Sequence, residues 1–166
     1  MSNRTAILAL LLLASLSLTG CGKTVSTGVE RVSRAQADAI ETWSERNHRP
    51  HKFLFTQRAE FGVTVPPTWI TVVDHEIVAM NDRDGTRVDS RSSAYRTIDN
   101  LHRTLAEELI RYEARITAGL DDEHSILIQA SFDKSTGVPL RLTWDVHSAI
   151  DDKYTWEILG FEFLDE

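Results

Sequence analysis

ILIQASFDKSTGVPLRLTWDV, residues 126–146, is the stretch on which the reading of the fold turns. Ile126, Ile128, Ala130 and Phe132 alternate with Leu127, Gln129 and Ser131, and a period of two marks a strand with one buried face. The same period resumes at Leu140, Leu142, Trp144 and Val146. Between the two runs, Lys134-Ser135-Thr136-Gly137 is turn chemistry. Gly137 can take the positive φ that a reversal needs, whereas Pro139, with φ held at about −65° and no N–H, suits the first residue of a strand and biases Val138 toward extended backbone. The stretch is therefore expected to be an antiparallel hairpin in which Gly137 has a structural role rather than a catalytic one. Asp133 opens it like a calcium loop, but glycine falls at the fifth position and Trp144 at the twelfth, so a cation cage cannot close.

Outward from the hairpin the period changes. Ile98, Leu101, Leu105, Leu109 and Tyr112 recur at three and four behind Thr97, which predicts a capped helix to about Arg115. A polar link, Ala118 to His124, joins it to the hairpin. After the hairpin, Tyr154, Trp156 and Ile158 lead to Phe161 and Phe163, and the change of phase at Gly160 suggests a bulge. Toward the amino terminus, Ser33-Arg34-Ala35-Gln36 matches a capping box, and Ala35, Ala39, Ile40 and Trp43 share one face of a helix to about Asn47. Phe53, Phe55, Gln57, Ala59 and Phe61 predict a strand, and Trp69–Val73 and Ile77–Met80 a hairpin around Asp74-His75-Glu76. Asn81–Ala94 is a polar loop of about 14 residues, long enough to imply function or disorder. The expected class is α+β: an antiparallel sheet of five to six strands with two helices on one face, in the order α-β-β-β-α-β-β-β.

The first twenty residues have a different character. Arg4 and the amino terminus precede an apolar run, Ala6–Thr19, which as a helix reaches about 21 Å against a hydrocarbon core of about 30 Å. Leu18-Thr19-Gly20-Cys21, with the only cysteine of the chain, resembles the lipobox of bacterial lipoproteins. That resemblance implies a signal peptide over residues 1–20, lipidation of Cys21 with a covalent diacylglycerol and acyl chain, and attachment to a membrane by two or three chains, enough for stable anchoring. Gly22, where inner-membrane retention favours Asp, implies the outer membrane. The alternatives are an ordinary signal peptide with an incidental cysteine, or a buried structural cysteine. Residues 21–31 are expected to be a flexible lipidated tether and 32–166 a single α+β domain. About 146 of the 166 residues remain after cleavage, enough for one core.

Loss of Arg4 moves the net charge from −7 to −8, so the mature chain is acidic and a nucleic-acid partner is disfavoured. No cysteine remains for an intramolecular disulfide.

Phe132-Asp133, Gly137-Val138-Pro139-Leu140, Trp144-Asp145, Ile150-Asp151-Asp152-Lys153-Tyr154 and Phe161 together resemble a domain-of-unknown-function family of small secreted bacterial lipoproteins. The family pattern runs Tyr-Asp, Gly-Tyr-Pro, Asp, Asp-Asp and a closing aromatic strand. The likeness extends upstream through Trp43, Phe53 to Phe55, the Val72 to Val78 hairpin and Thr97-Ile98-Asp99-Asn100-Leu101. It departs at Val138, where the pattern has Tyr, and at Asp74-His75, where it has Asp-Gly. The resemblance implies no activity.

Candidate sites are sparse. His48 and His51 are three apart, but Pro50 bars a regular helix between them; His75, His102, His124 and His147 are expected on turns and helix surface, and no metal site is expected. Asp121-Asp122-Glu123 and Asp151-Asp152 read as solvated faces, with calcium binding the alternative. Trp43, Trp144 and Trp156 read as core rather than a ligand platform, whereas Trp69, after the stiff Pro66-Pro67, is expected partly exposed at a sheet edge, where a protein partner could bind. Asp145, Asp151 and Asp152 complete the possible binding surface. Two classes of function follow. One is a noncatalytic binding or assembly module of the envelope with a protein partner there, an inhibitor of a secreted hydrolase being a variant of it. The other is a periplasmic hydrolase using the loop carboxylates Asp145, Asp151 and Asp152. Only a cleft and shifted pKa values would make paired carboxylates catalytic.

Overall fold

The computed structural model describes residues 23–60, 63–89, 94–120, 126–146 and 153–164. Its elements are β1 (Lys23–Thr27), α1 (Val29–Ser44), β2 (His51–Ala59), β3 (Val65–Val73), β4 (Glu76–Asn81), α2 (Ile98–Thr117), β5 (Ile126–Asp133), β6 (Pro139–Val146) and β7 (Tyr154–Phe163). The class is α+β, and from Val29 onward the order is the expected α-β-β-β-α-β-β-β. All neighbours are antiparallel in one sheet ordered β1-β5-β6-β7-β2-β3-β4.

The seventh strand corrects the expectation of a flexible tether over residues 21–31. Lys23–Thr27 pair with β5 from Lys23 opposite Asp133 to Thr27 opposite Gln129. Gly28, at φ 89°, then turns the chain directly into α1, and its N–H donates to the Ile128 carbonyl at 3.0 Å. Helix α1 thus starts at Val29, and Ser33 lies inside it rather than capping it. Its buried face is Val32, Gln36, Ala39 and Trp43, while Ile40 is 39% exposed. Gln36 is held in the core because its amide donates to the His102 carbonyl.

Helix α2 begins as expected: the Asn100 N–H donates to the Thr97 hydroxyl at 3.2 Å. It ends at Gly119, whose φ of 67° lets Leu120 N–H return to the Arg115 carbonyl. Ile98, Leu101, Leu105, Leu109 and Tyr112 are buried with α1 against Phe53, Phe55, Ile70, Ile128, Leu142 and Trp144 of the sheet. Truncating one of those leucines to alanine removes about 2–5 kcal/mol. The Tyr112 hydroxyl accepts from the Trp144 indole at 2.9 Å, which ties α2 to β6.

Bulges carry two of the sequence's irregularities. Phe55 pairs with Thr68 and Gln57 with Val65, so Pro66 and Pro67 face only Thr56. Two residues without N–H groups thus occupy an interrupted part of the ladder, and the Thr56 hydroxyl donates to the Val65 carbonyl at 2.9 Å. The interruption also places Thr56 among the buried residues, where strict alternation called for Gln57. In β7, Leu54 pairs with Gly160 and Phe55 with Ile158, so Leu159 is the extra residue and the bulge lies beside Gly160 as expected. Phe61 lies outside the described residues.

The β5–β6 turn confirms the hairpin. Phe132 pairs with Pro139, the first residue of β6, and Gly137 has a φ of 76°. Asp133 Oδ1 accepts from the backbone and hydroxyl of both Ser135 and Thr136, at 2.6–3.0 Å. Partial burial pushes this carboxyl up, yet those four donors outweigh it and hold it below the usual range. A Cβ on Gly137 would lie 2.2 Å from the Ala39 carbonyl oxygen and 2.7 Å from the Trp43 nitrogen. Gly137→Ala is therefore expected to cost at least about 3 kcal/mol, more than the roughly 1 kcal/mol of left-handed strain alone. Urea unfolding measures it; a loss under about 1 kcal/mol would mean that α1 does not rest on this turn.

Candidate functional site

One end of the sheet gathers the β3–β4 turn, the first turn of α2, the last turn of α1, the start of β2 and the end of β7. Asp99 lies at its centre. It sits in the first turn of α2, where the exposed N–H groups favour negative charge. Its Oδ1 accepts from the Trp43 indole at 2.9 Å and from the Asn47 amide at 3.4 Å, and its Oδ2 lies 3.2 Å from His75 Nδ1. Partial burial pushes the Asp99 carboxyl up; the bonds from Trp43, His75 and Asn47 prevail and hold it below the usual range.

His75 reaches Asp99 from a strained position. Asp74 and His75 are the two residues of the β3–β4 turn, and both have positive φ, 50° and 66°. A two-residue turn of this kind favours glycine second. A β-carbon in this conformation costs about 1 kcal/mol. The imidazole, 53% exposed, thus meets a carboxylate oriented by Trp43. Such a pair can hold a proton on Nδ1 and present Nε2 to a ligand as an acceptor. Among the described residues its hydrogen-bond partners include no hydroxyl or thiol.

Beneath it lies an aromatic packing. Trp43 stacks on Phe163 at 6.4 Å and meets His51 and Phe161 edge-on at 5.1 and 6.0 Å, while the Arg49 guanidinium lies 4.1 Å over the Phe163 ring. His51 is buried: it is 1% exposed, its Nδ1–H donates to the Arg49 carbonyl at 2.8 Å, and its Nε2 has no protein partner. His48 is exposed. His102, expected on the helix surface, is also buried, 4% exposed; its Nε2–H donates to the Gly137 carbonyl at 3.0 Å, and its Nδ1 has no partner. Burial pushes the His102 pKa down to about 4, against the opposing effects of that bond and of Asp99. Burial lowers His51 too.

The residues singled out from sequence are not brought together. Cys21, Asp151 and Asp152 lie outside the described residues, as do Asp121-Asp122-Glu123, His124 and His147. Asp145, on β6, is 3.5 Å from the Lys153 ammonium. Trp43, Trp144 and Trp156 are core, as read. Trp69 is half-buried, but the edge is a correction: β3 runs inside the sheet between β2 and β4. Its ring lies on the face away from the helices, over Gly160, where a Cβ would come within 3.3 Å of the indole, and 5.3 Å from the Lys52 ammonium. Pro66 is exposed beside it in sequence and Pro67 is half-buried. Part of the Asn81–Ala94 loop is a turn closed on Asp82, whose Oδ1 accepts from the Asp84 and Thr86 N–H groups. The one sequence signal for the Asp99 cluster is that the Asp74-His75-Glu76 loop lacks glycine.

Compared with known proteins, the chain matches no family model and no curated sequence.

Two neutral buried histidines make stability depend on pH. The unfolded chain binds protons on them near pH 6.5 and the folded chain does so only lower, at about 4 for His102. Their contribution is therefore present above 6.5 and is lost as pH falls toward 4. For His102 it amounts to on the order of 3 kcal/mol. Thermal melts across this range are expected to show the fall, and His102→Gln, which can still donate to Gly137 but does not titrate, to reduce it by more than half. An unchanged slope in that variant would rule out His102 as the source.

Proposed function

We propose that the chain is a lipid-anchored protein of the bacterial cell envelope, a noncatalytic binding or assembly module whose domain faces the periplasm and meets an envelope protein with the open face of its sheet. The lipobox-like Leu18-Thr19-Gly20-Cys21 supports the anchor, and Gly22 supports the outer membrane. The resemblance to small secreted lipoproteins of unknown function agrees with both.

The observation that carries the binding reading is Trp69. Both helices pack on one face of the sheet, and on the other this ring lies half-exposed on the flat floor that Gly160 provides. A large amphipathic ring held rigidly on a flat surface is the kind of side chain that dominates binding energy in protein interfaces. Cross-strand pairs flank it on the side of β2, β7 and β6, Lys52 with Glu162 at 2.6 Å and Arg141 with Glu157 at 3.3 Å, so polar groups border the aromatic ring there. Pro66 and Pro67 extend it along β3. The hydrolase alternative has less support. Asp145 is committed to Lys153, and among the described residues the hydrogen-bond partners of His75 include no hydroxyl or thiol.

Two experiments test the reading. Cys21→Ser is expected to abolish incorporation of labelled fatty acid and to release the protein from membranes; continued labelling would remove the anchor. For the surface, a photo-crosslinking residue is placed at Trp69 or, as a control, at exposed Ile110 on α2 in the full chain in cells. A discrete protein adduct from position 69 alone is expected. Equal adducts from both, or none from 69, would count against this face.

A further inference from the structure

The lipid anchor read from the sequence and the register of β1 together fix which end of the domain meets the membrane. Lys23, the first residue of β1, is paired directly opposite Asp133, where β5 enters the turn to β6. Two residues, Cys21 and Gly22, precede it after cleavage at the lipobox. At about 3.5 Å per residue they reach roughly 7 Å, so a lipid on Cys21 cannot stand far from that turn.

We infer that the β5–β6 turn and the adjoining end of α1 are held against the lipid headgroups, with no flexible spacer between bilayer and sheet. This rests on the proposed lipidation of Cys21 and adds an orientation that lipidation alone does not supply. The occupant is a lipid surface because the leash ends in one. The same end of the sheet carries the end of β7 and the start of β2, since His51 pairs with Phe163, and it carries the His75–Asp99 pair. Lys134 and Arg49 are exposed cations at this end, Arg49 resting on Phe163. Helix α2 starts at this end and its 20 residues carry Leu120 about 30 Å away. The Trp69 face runs along the strands rather than across their ends, so it stands clear of the bilayer and stays open to a protein partner.

The test uses the full lipidated chain in vesicles of phosphatidylethanolamine and phosphatidylglycerol that contain a headgroup-attached quencher. A fluorophore is attached to a single introduced cysteine, Lys134→Cys at the turn or Leu120→Cys beyond α2, both exposed positions. Quenching is expected to be severalfold stronger at 134 than at 120. A flexible Gly-Ser insert of about ten residues between Gly22 and Lys23 lengthens the leash to roughly 17 Å and is expected to erase the difference. Equal quenching in the uninserted chain, or a difference that survives the insert, overturns the inference. A mass spectrum of the same sample separates the two failures: an acylated chain with equal quenching removes the orientation alone, whereas a chain without acyl groups removes the anchor with it.

Discussion

At Gly137 the β5–β6 turn lies so close to α1 that a β-carbon would overlap the Ala39 carbonyl, and the carbonyl of the same residue receives the His102 ring of α2. Three elements meet on one residue without a side chain. Gly137 N–H also closes the turn on the Asp133 carbonyl at 2.8 Å, so its position depends on the hairpin register. A slip of one residue would lift the turn away from α1 and turn Leu142 and Trp144 to the open face. The packing of both helices and the pairing of β5 with β6 are therefore one constraint. Gln36 adds to it, since its amide bonds the His102 carbonyl from α1 while the His102 ring bonds the turn.

The same end of the molecule concentrates polar groups at the edge of the core. Asp99 stays ionised because three side chains donate to it, and it faces two histidines whose burial keeps them neutral. Protonation would put charge on buried rings that each have one nitrogen without a protein partner, a cost that the attraction of Asp99 opposes but does not cancel. His75 is set apart from them by exposure. Its backbone strain is offset only in part by a contact with Asp99 that solvent screens, which makes the residue a poor choice for stability alone.

Periodicity made the two hairpins and α2 legible, because their buried residues recur without interruption. Thr97 and Gly137 were legible through the backbone chemistry that a cap and a reversal require. The start of α1 was not: Ser33 and Gln36 fit a capping box, but Gly28 turns the chain earlier, and Gln36 is drawn inward by a carbonyl 66 residues away. His102 was misread for a related reason. A histidine is polar in any local pattern, and the acceptor that lets His102 be buried, the Gly137 carbonyl, is supplied by tertiary structure. Trp69 was read correctly as half-exposed and wrongly as an edge residue, since strand order follows from pairings that alternation does not encode.

β1 is the clearest case of structure without a periodic signal. Thr24, Val25 and Thr27 favour extended backbone, but a strand this short and polar has no apolar alternation to betray it. What makes it a strand is the edge of β5, whose outward N–H and C=O groups would otherwise lie open to pairing with another chain. Main-chain hydrogen bonds to that edge suffice, and the Gly28 N–H bond to Ile128 holds the last residue before the helix in line with them. At the opposite edge the extra residue Val78 kinks β4, and the chain folds back so that Val88 N–H bonds the Met80 carbonyl. The β5 edge is thus covered by β1, which becomes the edge strand, and the β4 edge is interrupted by a bulge. In the proposed reading a partner meets the open face of the sheet, where recognition depends on side chains such as Trp69 rather than on added strands.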